Sequence, residues 1–316
     1  MATSIAPIPP PPPLAPCLPE GGCKNLLTLK NLLNVVKSPL FATFVYLFGG
    51  MYINCVSQVY AQYRSSQLSE TPTLPDVGFD VLPVWPPYLA DLACYSYMLL
   101  TLIRFFFGLT SNNHRLRRHI FRRHIFILGS LFYIRSFSII STMLPNPASY
   151  CETDVRFSPW YEAFRILAGR TVTCADVMYS GHTVNITLCA LTFHYYSHRA
   201  PLTTFDPLFS GSGPLTDKVG DLRRWTTAKL LVWVGAGWGY VFIVASRFHY
   251  TLDVFIGAVL SIVIFKFYMS RIRTAHLSGS WFDRLLVWME RGAEDVEEYK
   301  RLIVQGEGAE QMVQVV

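Results

Sequence analysis

The sequence predicts an all-α, polytopic membrane protein of six transmembrane helices, with its site between helices at the lumenal, exoplasmic face. Three observations carry that expectation. Hydrophobic residues make up 51% of the 316 and charged residues only 15%, a more apolar chain than a soluble domain needs. Apolar runs of about 20 residues, each enough for one crossing, recur along the chain. Basic residues gather in alternate segments between those runs.

Taken in order, residues 1–38 form a cytosolic tail, with Pro7, Pro9 and the run Pro10 to Pro13 giving a composition that favours extended polyproline and builds no core. No charged start and apolar h-region of a cleavable signal peptide is visible. Lys24, Lys30 and Lys37 lead into the first span. Residues 39–270 hold the spans, expected at about 39–60, 88–108, 125–144, 178–197, 228–247 and 250–269. The 110–124 segment carries Arg115, Arg117, Arg118, Arg122 and Arg123, and the 198–229 segment carries Arg199, Lys218, Arg223, Arg224 and Lys229. The opposite side has Arg64, Arg156, Arg165, Arg170 and Arg247, so the count is ten against five and places both termini in the cytosol. Residues 271–316 are a cytosolic tail in which Trp281, Leu285 and Trp288 recur at helical spacing opposite Asp283, Arg284 and Glu290. That pattern suits a helix lying on the membrane surface, and equally an amphipathic packing helix.

The polar islands are where chemistry is expected. Ser246-Arg247-Phe248-His249-Tyr250-Thr251-Leu252-Asp253 lies between two apolar runs. If the chain is helical from His249, Asp253 sits one turn along on the same face, able to hold one ring nitrogen and leave the other for reaction. A second island, Ser180-Gly181-His182-Thr183, falls on the same lumenal side under the six-span topology. A polar turn facing headgroups explains either island alone. Three titratable groups from distant segments at one depth are what a site assembled between helices requires.

Two histidines and one carboxylate make a poor zinc site, and the seven cysteines show no metal or redox spacing, so no metal or cofactor is expected. Cys151 and Cys174 share one loop and either pair or stay as thiols. The +6 net charge is explained by topology rather than by nucleic acid. Covalent catalysis at phosphorus fits these groups: one His attacks, and the other gives a proton to the departing alcohol and later takes one from the incoming alcohol. A transporter or lipid-binding protein using the same histidines is the reading from another class.

Ser-Gly-His followed by His-x-x-x-Asp resembles the lipid phosphate phosphatase superfamily. The fuller wording, Cys174-Ala175-Asp176-Val177-Met178-Tyr179-Ser180-Gly181-His182-Thr183 with His249-Tyr250-Thr251-Leu252-Asp253-Val254, is more similar to the sphingomyelin synthase family of ceramide phosphotransferases. Leu74-Pro75-Asp76 with Gly78-Phe79-Asp80 resembles that family's first lumenal motif. Arg122-Arg123, Tyr133, Arg135, Thr142, Leu144 and Pro145 match its third-span motif. The chain departs from the family at Ala175, where Gly is usual, and at Lys266-Phe267-Tyr268-Met269 after the last span. No sterile alpha motif domain precedes the spans, and the Lys-rich first motif of the phosphatases is missing.

The resemblance implies that His249, oriented by Asp253, takes a phospho-headgroup from a glycerophospholipid, with His182 as acid and then base toward the primary hydroxyl of ceramide. Phosphocholine is the expected headgroup, with phosphoinositol and phosphoethanolamine as the alternatives. Arg247, Asp176, Ser180, Asp76 and Tyr250 are the expected substrate contacts, Arg247 either clamping phosphoryl oxygens or anchoring at the interface. Arg135, mid-span, needs a partner, for which Asp91 at the start of span two is the candidate, both in a structural role. Ceramide, a glycerophospholipid and the surrounding membrane lipids are the expected partners, a homo-oligomer is compatible, and the Golgi or plasma membrane is the expected location.

Overall fold

The computed structural model describes residues 36–66, 73–105, 114–142, 144–148, 158–171, 173, 177–196, 227–277, 279–291 and 293. The chain divides after Ser38, and the described elements from Pro39 onward belong to the second unit. Among the described residues all regular structure is helical: α1 (Pro39–Ser66), α2 (Val77–Val81), α3 (Tyr88–Phe105), α4 (His114–Ser141), α5 (Pro159–Leu167), α6 (Gly181–Tyr196), α7 (Thr227–Ala245), α8 (Thr251–Thr274) and α9 (Trp281–Met289).

A helix therefore stands at each of the six expected positions, and among the described residues four are long and apolar enough to cross a membrane: 39–65, 116–141, 227–245 and 251–274. α3 has 18 residues and α6 has 16, so at 1.5 Å per residue α6 reaches only about 24 Å. α6 is also the most enclosed helix. Thr183, Val184, Ile186, Thr187, Leu188, Cys189, Ala190, Leu191, Thr192 and Phe193 are all buried, so it forms the axis around which α3, α4, α7 and α8 pack. A central helix can carry threonines where a hydroxyl finds a carbonyl one turn back, as Thr187 does on Thr183 and Thr192 on Leu188, whereas the buried Thr183 hydroxyl has no hydrogen-bond partner among the described residues. The outer helices show the reverse pattern, with Phe48, Leu99, Val234 and Phe255 exposed on apolar faces.

The third expected span begins earlier than the sequence predicts. α4 starts at His114, and the arginine-rich stretch taken as a loop is its first turns. Arg122 and Arg123 are buried there and fold onto Glu290: Arg123 Nη2 donates at 2.8 Å, Arg123 Nε at 3.1 Å and Arg122 Nη2 at 3.3 Å, while Tyr268 Oη donates to the other carboxylate oxygen at 2.7 Å. Burial alone would push the Glu290 carboxyl up. The Arg123 charge, the nearby His119, the Arg123 hydrogen bonds and the Arg122 charge outweigh it and hold the group well below the usual carboxylate range.

That cluster corrects the expected outward face of the C-terminal helix. In α9 the buried residues are Asp283, Leu286 and Met289, whereas Trp281 is exposed. Asp283 turns inward because Arg271, in the last turn of α8, donates to it at 2.6 Å, and because Ser280, the N-cap of α9, hydrogen-bonds it as well. α9 is thus a packed helix pinned by two buried carboxylates, Asp283 and Glu290.

The described cysteines, Cys55, Cys94 and Cys189, are buried and in no disulfide among the described residues; Cys151, Cys174 and the proline-rich segment lie outside the described residues.

Candidate active site

The α7–α8 connection takes a sharp path that no regular helix allows. α7 ends at Ala245, Arg247 adopts a left-handed backbone with φ +60°, and α8 begins at Thr251 with Tyr250 as its N-cap. His249 therefore stands just before the helix rather than on its first turn. Asp253 lies at the third helical position, and its Oδ2 accepts from Tyr250 N at 3.1 Å, the reciprocal half of a capping box. The carboxylate thus holds the turn by a backbone hydrogen bond and meets the imidazole at longer range, Oδ2 to His249 Nδ1 being 3.9 Å. The carbonyl of Val177 lies nearer to the same nitrogen, at 3.4 Å. Both acceptors face Nδ1, the arrangement that holds a proton there and leaves the lone pair on Nε2.

The second island is built on another strained turn. Tyr179 has φ +29°, outside the region favoured by L-residues, and its carbonyl accepts from Arg135 Nε at 2.9 Å. Ser180, fully buried, caps α6 through Oγ to Thr183 N at 3.2 Å, and its own N–H donates to the carbonyl of Asp253 at 3.2 Å. This backbone bond ties the start of α6 to the first turn of α8. His182, one residue into α6, stacks on Phe248 with ring centroids 5.5 Å apart and planes 14° from parallel. The residue carrying the stack is the immediate neighbour of His249, so the two imidazoles occupy the same end of the bundle.

Asp91 is not the partner of Arg135. It pairs instead with His182, Oδ1 to Nε2 at 2.9 Å. Arg135 reaches the carbonyl of Tyr179, in the turn before α6, and Asn54 Oδ1 at 3.1 Å, which α1 presents where it packs beside α4. A single acidic residue at the mouth of an otherwise apolar span was the one available sign of the Asp91 role. What the sequence could not show is that α3 and α6 are neighbours.

The expected substrate contacts meet the chain itself. Asp76 Oδ1 accepts from Gly78 N at 2.8 Å, Phe79 N at 3.3 Å and Thr251 Oγ1 at 2.6 Å, while Oδ2 accepts from Thr251 N at 2.8 Å. Tyr250 Oη donates to Pro145 O at 2.9 Å and accepts from Leu74 N at 3.2 Å. Arg247 lies over the Phe79 ring at 4.2 Å, and its Nη2 donates to Phe79 O at 2.9 Å and Leu82 O at 3.1 Å. Its Nη1 is buried and has no hydrogen-bond partner among the described residues. Asp176 lies outside the described residues.

Burial separates the two histidines. The His249 and Asp253 side chains are 6% and 1% exposed, and those of His182 and Asp91 are 29% and 44% exposed. One imidazole is enclosed by the bundle and the other is partly exposed at its surface.

Residues 173–211 and 217–270, which contain both islands, match the PAP2 superfamily C-terminal family. The chain is 27% identical over 247 residues to sphingomyelin synthase-related protein 1 of Homo sapiens, covering 73% of this chain and 51% of that protein. It is 26% identical over 250 residues to phosphatidylcholine:ceramide cholinephosphotransferase 1 of Caenorhabditis elegans, covering 70% of this chain and 46% of that protein. It is 33% identical over 147 residues to phosphatidylethanolamine:ceramide ethanolaminephosphotransferase of Trypanosoma brucei brucei, covering 45% of this chain and 38% of that protein. The chain spans about half the length of the first of these relatives and less of the other two.

Proposed function

We propose that this chain is a membrane-bound member of the sphingomyelin synthase and ceramide phosphotransferase family that moves a phospho-headgroup from a glycerophospholipid to ceramide through a phosphohistidine. The observation that carries this reading is the meeting of two imidazoles from distant segments at one end of the bundle, each facing a carboxylate, with Phe248 stacked on one and adjacent in sequence to the other.

The roles follow from exposure. His249 Nε2 attacks phosphorus, and the bond from phosphorus to the diacylglycerol oxygen breaks. His182 gives that oxygen its proton, so diacylglycerol leaves as the neutral alcohol. His182 then removes the proton from the primary hydroxyl of ceramide, whose oxygen attacks phosphorus as the phosphorus–nitrogen bond breaks. A phosphohistidine survives long enough for ceramide to reach it only if water is kept away, which suits the 6% exposed His249. The proton carrier must meet two different alcohols, which suits the 29% exposed His182 with Asp91 to steady its charged form. Arg247 Nη1 is the cation placed for the phosphoryl oxygens, while its Nη2 holds α2.

In the membrane we place six spans, with α3 and α6 completing the four apolar helices, the site at the exoplasmic face, and both termini in the cytosol. Golgi and plasma membrane are both compatible with that topology. Phosphocholine is the headgroup we favour; phosphoethanolamine is kept because one relative is named for it.

Membranes containing the protein, fluorescent ceramide and phosphatidylcholine test the reading. A labelled sphingophospholipid should form and should vanish in His249→Ala and His182→Ala, since one acid–base group is worth about 10²–10⁴ in rate. Unchanged product in His249→Ala refutes the assignment.

A further inference from the structure

We infer that Asp76 is the positioning residue of the nucleophile: a single carboxylate caps two helices and so fixes where the His249 turn sits. The inference rests on the transfer reading for its consequence, and on geometry alone for its content.

The start of α8 lacks an ordinary cap. Its N-cap, Tyr250, carries a phenol that reaches away to Pro145 and Leu74 instead of back to the helix amides. One amide at this terminus, Tyr250 N, is met by Asp253 from inside the helix, but Thr251 N must find its acceptor elsewhere. Asp76 supplies it from a segment 175 residues away, at 2.8 Å, and takes the Thr251 hydroxyl at 2.6 Å on its other oxygen. The same carboxylate is already the N-cap of α2, accepting from Gly78 N and Phe79 N. Four donors on two oxygens leave the side chain no second orientation.

Three further contacts show that the 74–85 segment grips the turn on both sides of His249. Two residues before it, Arg247 donates to the carbonyls of Phe79 and Leu82 at the end of α2. At the end of α7, Ala245 O accepts from Trp85 N at 3.0 Å. Gly78 is pressed so close that a Cβ there would meet Val244 Cγ1 at 2.7 Å and Thr251 Oγ1 nearer still. His249 is thus held between anchors at positions 247 and 251, both attached to one short helix whose own N-cap is Asp76. Asp76 touches no reacting atom; it acts through Thr251.

The test compares Asp76→Asn, Asp76→Ala, Thr251→Val and Thr251→Ser in the full chain, with two readouts. The first is transfer kinetics with fluorescent ceramide. The second is the rate at which diethyl pyrocarbonate modifies His249 relative to His182, read by mass spectrometry, which needs no activity. In D76N the amide nitrogen cannot accept, so one cap is lost. We expect kcat to fall ten- to hundredfold with KM for ceramide within twofold, and the His249:His182 labelling ratio to rise at least threefold. T251V should shift both readouts in the same direction, T251S should restore wild-type values, and, because alanine at position 76 accepts from neither Thr251 group, D76A/T251V should be no worse than D76A. If D76N does not fold, T251V carries the test, because it leaves the α2 cap intact. A labelling ratio and kcat within twofold of wild type in both D76N and T251V, or strictly additive losses in the double variant, overturn the inference. If wild-type protein transfers nothing, the transfer reading fails, while the labelling ratio still decides the role of Asp76.

Discussion

Replacing Arg135 tests whether the Ser180-Gly181-His182 turn depends on a buried cation. Arg135 is 3% exposed, and its guanidinium donates to Tyr179 O at 2.9 Å and to Asn54 Oδ1 at 3.1 Å. Tyr179 holds φ +29°, a conformation that costs on the order of 1–3 kcal/mol unless its surroundings enforce it. In Arg135→Met both acceptors lose their donor, at about 1–3 kcal/mol each, so a loss of roughly 2–6 kcal/mol is expected. Arg135→Lys keeps the charge but not the fork, so it satisfies one acceptor and loses about half as much. Released from Arg135, Tyr179 relaxes toward negative φ and carries His182 with it; a shift of about 1 Å at a reacting group is worth about a hundredfold in rate. Thermal unfolding in detergent and ceramide transfer measure the two effects. Arg135→Lys within twofold of wild type in transfer, with an unchanged unfolding midpoint, would refute the claim that the fork sets the turn.

Three other outcomes are expected. Asp91→Asn keeps a hydrogen-bond acceptor for His182 but loses the charge, so transfer should fall about tenfold or more while the unfolding midpoint moves little, because the pair is partly exposed; a large midpoint shift would mean Asp91 is structural. Glu290→Gln leaves Arg122 and Arg123 buried without their anion and should cost about 3–5 kcal/mol by thermal unfolding. Because Glu290 sits below its ordinary range when folded, its contribution is present above the unfolded value of about 4.3 and fades as pH falls below it, so wild-type stability should drop in that window more steeply than that of Glu290→Gln. Lastly, Asp91 and Asp80 present exposed carboxylates near the start of α3 and on α2, which favours a cationic headgroup by about 1 kcal/mol per close pair in water. Phosphatidylcholine should therefore outcompete phosphatidylinositol as donor, the advantage shrinking in high salt and in Asp80→Asn; equal use of both lipids would count against it.

Much of this was legible in the sequence because spans and islands are local signals. Length, hydropathy and the spacing His249-x-x-x-Asp253 placed helices at six positions and the two histidines at one end. The helix starts were less legible. A run such as Arg115 to Arg123 is hydrophilic whether it is a loop or the first turns of a helix, and what decides is Glu290, 167 residues from Arg123. The His182–Asp91 pair was hidden for the same reason, since 91 residues separate its members and only the packing of α3 on α6 joins them. The capping of α8 by Asp76 was invisible because Tyr250 occupies the cap position with a side chain that cannot perform it.

The demands of the candidate site fall on the ends of the bundle and hardly on its sides. Along the sides, residues such as Phe48, Leu99, Val234 and Phe255 face outward, and in lipid one apolar side chain is nearly as good as another. The site asks little of those positions. It asks for a carboxylate where two helix starts meet, a glycine where a backbone touches Thr251, a guanidinium beneath a strained carbonyl, and two imidazoles with their acids. Most of these demands are met through backbone groups, which every sequence supplies. The side chains that cannot be exchanged are therefore few, and they lie at the two helix starts of α6 and α8 and in the segment that clasps them.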